Sequence, residues 1–219
     1  MPRSRPLHRN DPAKEPLVGN VKVTREDWLN VALDVLVSDG VEQVKVLALG
    51  DRLGVSRSSF YWYFSSRQDL LDALLKHWED TNTAALVDLA GADAKTVTGA
   101  VCNVFRAVVN PQLFDVAFDF AVRDWARRSG AVRRVLDRSD AKRLDALTQM
   151  FARYDYPPLE ALTRARTLYY MQIGYNDADL KEPVEDRLKL VPMYLYVFTG
   201  RQPQPDEIAD FTTYAKSLG

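Results

Sequence analysis

The densest run of groups that could do chemistry lies between Ser56 and Arg67. Ser56, Ser58 and Ser59 supply hydroxyls, Arg57 a guanidinium, and Tyr61, Trp62 and Tyr63 an aromatic cluster around Phe60 and Phe64. Residues four apart share one face of a helix, so burying Phe60 and Phe64 turns Arg57, Ser58, Ser59, Tyr61, Trp62 and Tyr63 outward. Those residue types fit the readout of duplex DNA. Arg57 can donate two bonds to guanine O6 and N7, and the small serines let the backbone approach the groove floor. Tyr61, Trp62 and Tyr63 carry donors for phosphates, which orient a protein without reading sequence. Arg67, in the first turn of the following helix, would join that helix's N-terminal amides at a phosphate. Lys45, just ahead of the preceding helix, is one more candidate for a phosphate.

Such a face needs a scaffold, and residues 46–53 and 56–63 have the length and punctuation of a helix-turn-helix. Gly54 stands where the chain must leave the first of these helices, a point that favours positive φ and so glycine. Ser56 is placed to cap the second. Ahead of them, Thr24 with Asp27 forms a capping-box start. Trp28, Val31, Ala32, Val35 and Leu36 then make one apolar stripe, which Gly40 stops. Behind them, Ser66 with Asp69 opens another helix, with Leu70, Leu71, Leu74, Leu75 and Trp78 on one face, expected to run to about residue 90. Gly50, inside the first short helix, costs about 1 kcal/mol relative to alanine, and the sequence pattern offers no reason for it.

The run from Leu53 through Gly54, Val55, Ser56, Arg57, Ser58, Ser59, Phe60, Tyr61, Trp62, Tyr63 and Phe64, with Arg67, Leu70 and Leu71 behind it, resembles the DNA-binding segment of TetR/AcrR-family regulators. Their signature is approximately L-G-V-S-x-x-x-L-Y-x-H-F-x-x-K-x-x-L-L. The likeness covers residues 24–75. It implies base contacts from Arg57, Ser58 and Ser59 and phosphate contacts from Tyr61, Tyr63 and Arg67. Phe60 replaces the usual leucine, Tyr63 the frequent histidine and Arg67 the usual lysine. Lys45, Val46 and Leu47 lack the hydroxyl that the family often uses as a phosphate anchor, a role in which Lys45 can stand.

The resemblance further implies a helical body that dimerises through its last two main helices and holds a small molecule. Those helices would span about 158–176 and 182–199, with Leu162, Tyr169, Ile173, Leu188, Leu195 and Phe198 facing a partner. Phe105, Phe114, Phe118, Trp125, Met150 and Phe151 are the expected pocket lining. Punctuation supports helices throughout: Asn110 and Pro111 as a helix start, Ser129 and Gly130 as a break, Pro157 and Pro158 as another, a bend at Pro192 and a last helix near 205–218. No period-2 alternation suggests a strand. The acidic and basic residues of 123–145 read as a solvated face with i, i+4 pairs.

The expected architecture is therefore all-α: an arm at 1–20 rich in proline and arginine, a helix-turn-helix domain at 21–76, and a ligand-binding and dimerisation domain at 77–219. With 219 residues, 47% of them apolar, the chain can bury substantial cores. Its net charge of −1 argues against bulk coating of nucleic acid but leaves room for a small basic head, and the basic residues do crowd the start of the chain. One cysteine, Cys102, and two distant histidines, His8 and His77, make neither a disulfide nor a zinc site. No nucleophile elbow or phosphate loop is present. Neither cofactor nor membrane partner is expected, and the expected setting is the cytoplasm. The expected partners are double-stranded DNA with a palindromic site, a second copy of the chain and an unknown small molecule. Two other readings stay open: an architectural or nucleoid-associated DNA binder without a ligand, and an enzyme.

Overall fold

The computed structural model describes residues 23–178, 180 and 182–218, and among them every regular element is helical. The expected arm at 1–20 lies outside the described residues. The chain divides into two compact units: one holds the described residues through Trp78 together with Phe120–Arg133, the other Glu79–Asp119 with the residues from Arg134 onward.

The first unit begins with α1 (Arg25–Asp39). The Asp27 amide donates to Thr24 Oγ1 at 3.2 Å and the Thr24 amide donates to Asp27 Oδ2 at 2.8 Å, the reciprocal cap read from the sequence. Gly40 ends the helix and a 3₁₀ turn (Val41–Gln43) leads into α2 (Val46–Leu53), α3 (Arg57–Phe60) and α4 (Arg67–Trp78). The inward stripe of α1 closes over α2 and α3. Trp28 meets Phe60 edge-on at 5.2 Å between ring centroids, and Phe64 stacks on Phe60 at 5.4 Å. Leu49, Leu70 and Leu74 complete this buried cluster.

The helix expected to run from Ser66 to about residue 90 does run without a break from Arg67 to Gly91, with a π-helical turn set into it. After Trp78 the apolar stripe gives way to Glu79–Thr83, which winds as a π-helical turn before α5 (Ala84–Gly91). Asn82 and Thr83 are nevertheless buried, because each has a polar partner. Asn82 Nδ2 donates to the Asp115 carbonyl at 2.8 Å, and Arg143 Nε donates to Thr83 Oγ1 at 3.1 Å.

The second unit continues with α6 (Val97–Val109), α7 (Val116–Arg128), which crosses into the first unit after Asp119, and α8 (Gly130–Ala152), which crosses back after Arg133. Then come α9 (Pro158–Asp177), α10 (Val184–Thr199) and α11 (Pro205–Lys216). The α10 helix carries Pro192 in its interior.

Asn110 does not start a helix as its Asn-Pro pair suggested; it caps the C-terminus of α6, a helix the sequence reading left undelimited. Its side chain accepts from the Gln112 amide at 2.9 Å, a local turn that spends the residues through Phe114, and α7 starts later, with Asp115 Oδ1 accepting from the Phe118 amide at 3.0 Å. Glu207 fastens α11 to the start of α6, accepting from the hydroxyls of Thr96 and, at 2.6 Å, of Thr98.

The charged run at 123–145 is not wholly a solvated face either. Arg143 is fully buried and ion-paired with Asp119 at 2.9 Å. Burial alone would weaken its charge, but the Asp119 carboxylate and the Tyr169 hydroxyl outweigh that and hold its pKa above the ordinary arginine value.

Candidate nucleic-acid interface

Gly54 closes α2 in the left-handed region, at φ 70 and ψ 27, with its amide donating back to the Asp51 carbonyl at 3.2 Å. The sharp exit this permits sets α3 across α2. Gly50 now has a reason: a Cβ there would stand 3.1 Å from the Val55 carbonyl oxygen and 3.6 Å from the Trp28 ring. The turn's carbonyl crowds that position, and the tryptophan sits at ordinary contact behind it.

The recognition segment is wound more tightly than the helix expected over 56–63. Only Arg57–Phe60 is α-helical. Beyond it the amides of Tyr61, Trp62 and Tyr63 donate to the carbonyls of Ser58, Ser59 and Phe60, three residues back, at 3.0–3.4 Å, the 3₁₀ pattern. Burial of Phe60 and Phe64 four residues apart fixes which side faces out. Ser56 precedes the helix without capping it; its hydroxyl pairs instead with the Ser58 hydroxyl at 2.7 Å. Ser66 does cap α4, accepting from the Asp69 amide at 3.1 Å, while the Asp69 carboxylate turns to the Ser65 amide and hydroxyl.

The exposed face comprises Arg57, Ser58, Tyr61 and Trp62, with Ser59 partly covered. Trp62 is 79% exposed, which for a tryptophan on a folded head is unusual enough to mark a contact surface. Arg57 Nη2 donates to Tyr61 Oη at 2.8 Å, with the guanidinium also over that ring. The arginine is thereby pre-aimed while keeping donors to spend. Ser59 Oγ donates to the Ser56 carbonyl at 2.9 Å. Lys45 is exposed at the head of α2, its Nζ 3.3 Å from Gln43 Oε1.

Two residues expected at phosphates have other occupations. Tyr63 is half-buried and its hydroxyl donates to the Val23 carbonyl at 2.7 Å. Arg67 sends Nε to the Val44 carbonyl and Nη2 to the Val41 carbonyl, each at 2.6 Å. Both tie the recognition segment and α4 to the backbone around α1 and α2. Hydrogen bonds to a charged group contribute about 1.5–3 kcal/mol each, so Arg67→Ala should lower the melting temperature of the head in circular dichroism. The salt dependence of DNA binding should stay unchanged; a slope reduced by about one unit per subunit would return Arg67 to the phosphates.

One candidate was not picked out from the sequence. Arg25, exposed at the start of α1, lies over the Phe64 ring at 4.8 Å, and was counted there only as part of a basic start. The Tyr63 bond to Val23 and this contact together fasten the beginning of α1 to the recognition segment.

The expected pocket lining is divided by the structure. Phe114, Phe118, Met150 and Phe151 are buried, and Trp125 is buried in the first unit rather than the second. Of the six, Phe105 lines the cavity that opens among α6, α9, α10 and α11, and the other five do not line it. The expected dimer residues divide likewise. Tyr169, Leu195 and Phe198 are buried within their own chain, Ile173 and Leu188 are partly covered, and Leu162 is exposed. The apolar residues turned outward on these helices include Leu159, Tyr170, Leu190, Met193, Tyr196 and Val197.

Burial pushes the Cys102 thiol up to about 12, so little thiolate exists near neutral pH. Among the described residues no group of three or more histidine, cysteine and acidic side chains is placed to hold a metal ion, and no helix is long and apolar enough to cross a membrane.

A short helix pinned from below, offering a pre-aimed arginine and hydroxyls, and set against a second short helix by a left-handed glycine, is a helix-turn-helix DNA-binding head. Residues 29–74 match the family described as bacterial regulatory proteins, tetR family. The chain is 25% identical to the class C tetracycline repressor protein of Escherichia coli over 174 residues, 76% of this chain and 74% of that one. Its fold is similar to that of Mycobacterium smegmatis AmtR, with a TM-score of 0.62 and 18% identity over 94% of this chain and 99% of that one. It is equally similar, at 0.62 and 17%, to KstR2, a ketosteroid transcriptional regulator of Mycobacterium tuberculosis, over 86% of this chain and all of that one. The N-terminal head, over residues 29–74, is thus a tetR-family helix-turn-helix domain.

Proposed function

We propose that this chain is a TetR-family transcriptional regulator, a cytoplasmic repressor that binds a palindromic operator as a homodimer and releases it when a small molecule enters the body. The observation that carries the reading is the α3 face, where Arg57 is held by Tyr61 beside exposed Ser58 and Trp62. A two-fold dimer would lay two such faces in successive major grooves, about 34–36 Å apart. Tyr61, Trp62, Lys45 and Arg25 would meet phosphates, while Arg57 with Ser58 and Ser59 would meet base edges. The ligand need favour the unbound arrangement by only ~1–3 kcal/mol, a typical coupling energy. The chain thus acts by binding rather than by turnover.

Selection of sites from a random DNA pool tests this. One palindromic consensus is the expected result, and a featureless pool would favour an architectural role instead. On the selected site, Arg57→Ala should cost about 1–3 kcal/mol and relax preference at one base pair per half-site. Equal weakening on every sequence would reassign Arg57 to phosphate.

A further inference from the structure

The cavity bordered by Phe105 holds about 210 Å³. That is somewhat more than the ~150 Å³ that accommodates benzene, so its interior suits a ring with a short tail or a chain of roughly eight to ten carbons. Its walls are mainly aliphatic and aromatic, with Met171, Leu188, Val191 and Phe211 beside Phe105. Against them stands Arg187, the one cation among the described residues that line the space, and none of those residues is a carboxylate. Arg187 is partly buried, and its guanidinium lies over the Tyr175 ring at 5.4 Å. The nearby acid Glu182 accepts the Tyr175 hydroxyl, and no ion pair joins it to Arg187 among the described residues.

A guanidinium partly withdrawn from water beside apolar walls favours an anion, and its planar fork matches a carboxylate with two parallel bonds. The apolar walls, in turn, favour hydrocarbon behind that carboxylate. We propose that this cavity binds an apolar molecule ending in one carboxylate, its chain or ring among Phe105, Val191 and Phe211 and its acid group on Arg187. The inference rests on the ligand-released reading only for its effect at DNA; binding itself is separable.

Calorimetric titration of the full chain with octanoate, octanol and octylamine, each below its aggregation concentration, provides the test. Octanoate should bind at least about tenfold tighter than octanol, as one charge-assisted contact warrants, and octylamine should bind worst. Arg187→Met, which keeps the stem but not the charge, should bring the acid-to-alcohol ratio to about one while leaving octanol unchanged. Val191→Trp should abolish binding of all three, with the melting curve reporting that the chain still folds. The proposal is overturned if the acid and alcohol bind equally, if the amine binds best, if none binds, or if Arg187→Met keeps the ratio. Absence of binding alongside a selected palindromic consensus would sink the ligand assignment alone. A featureless DNA pool alongside octanoate binding would sink the operator reading alone.

Discussion

Asp119→Ala should lower the melting temperature by roughly 6–20 °C, because breaking a buried ion pair costs about 3–5 kcal/mol and each kcal/mol shifts a chain of this size by about 2–4 °C. The Asp119 and Arg143 side chains are 4% and 0% exposed and meet at 2.9 Å. Truncating the acid leaves a guanidinium facing the Thr83 hydroxyl, the Tyr169 hydroxyl at 3.4 Å and the Phe114 ring. Hydroxyl and ring contacts of this kind are dipolar and weaker than the ion pair with Asp119 that the substitution removes. The same reasoning sets a control with the opposite outcome. Asp119→Leu combined with Arg143→Met removes both charges and fills their space, and such exchanges are often neutral or stabilising. The double variant should therefore recover most of the loss. Calorimetry showing a shift under about 2 °C for Asp119→Ala, or a double variant worse than the single one, would mean that the pair is not what holds α7 to α8.

What the sequence disclosed and what it hid follow from the range of the interactions involved. The Thr24 cap, the Gly54 exit and the burial of Phe60 and Phe64 depend on neighbours within four residues, and each is readable as a pattern. Arg143 sits in a run of charges that looks solvated, since its counter-charge lies 24 residues away on another helix. By type, the donors of Arg67 and Tyr63 fit phosphates. Their actual acceptors are the Val41, Val44 and Val23 carbonyls, 23 to 40 residues distant, and every sequence has carbonyls, so no residue type advertises them. Gly50 belongs with them, since what crowds a side chain there is again a carbonyl, that of Val55. In the body, punctuation located most helices, α6 excepted, but could not tell which of several apolar sides faces inward. That is why Tyr169, Leu195 and Phe198 were assigned to a partner and lie in the core instead.

The outward apolar residues bear the second large effect: Met193→Glu with Val197→Glu should convert the dimer to monomers. Met193 and Val197 are 61% and 60% exposed on α10, and Leu190 extends their stripe one turn toward the N-terminus. Leu159, Leu162 and Tyr170 line α9 in the same manner. Rows of exposed apolar side chains on two helices are surface that water disfavours and a second copy can cover. In a two-fold interface each substitution occurs twice, so the double variant sets four carboxylates against apolar surface. At several kcal/mol for each charge left unpaired there, the dimer dissociation constant should rise by at least about a thousandfold. Sedimentation velocity at micromolar concentration should then show a single species of half the mass. Neither side chain is part of the core, so the circular dichroism spectrum should be retained. Operator affinity should fall together with dimerisation, since a lone head loses the effective concentration that its twin supplies. Dimers that survive the double variant would place the partner surface elsewhere on the chain.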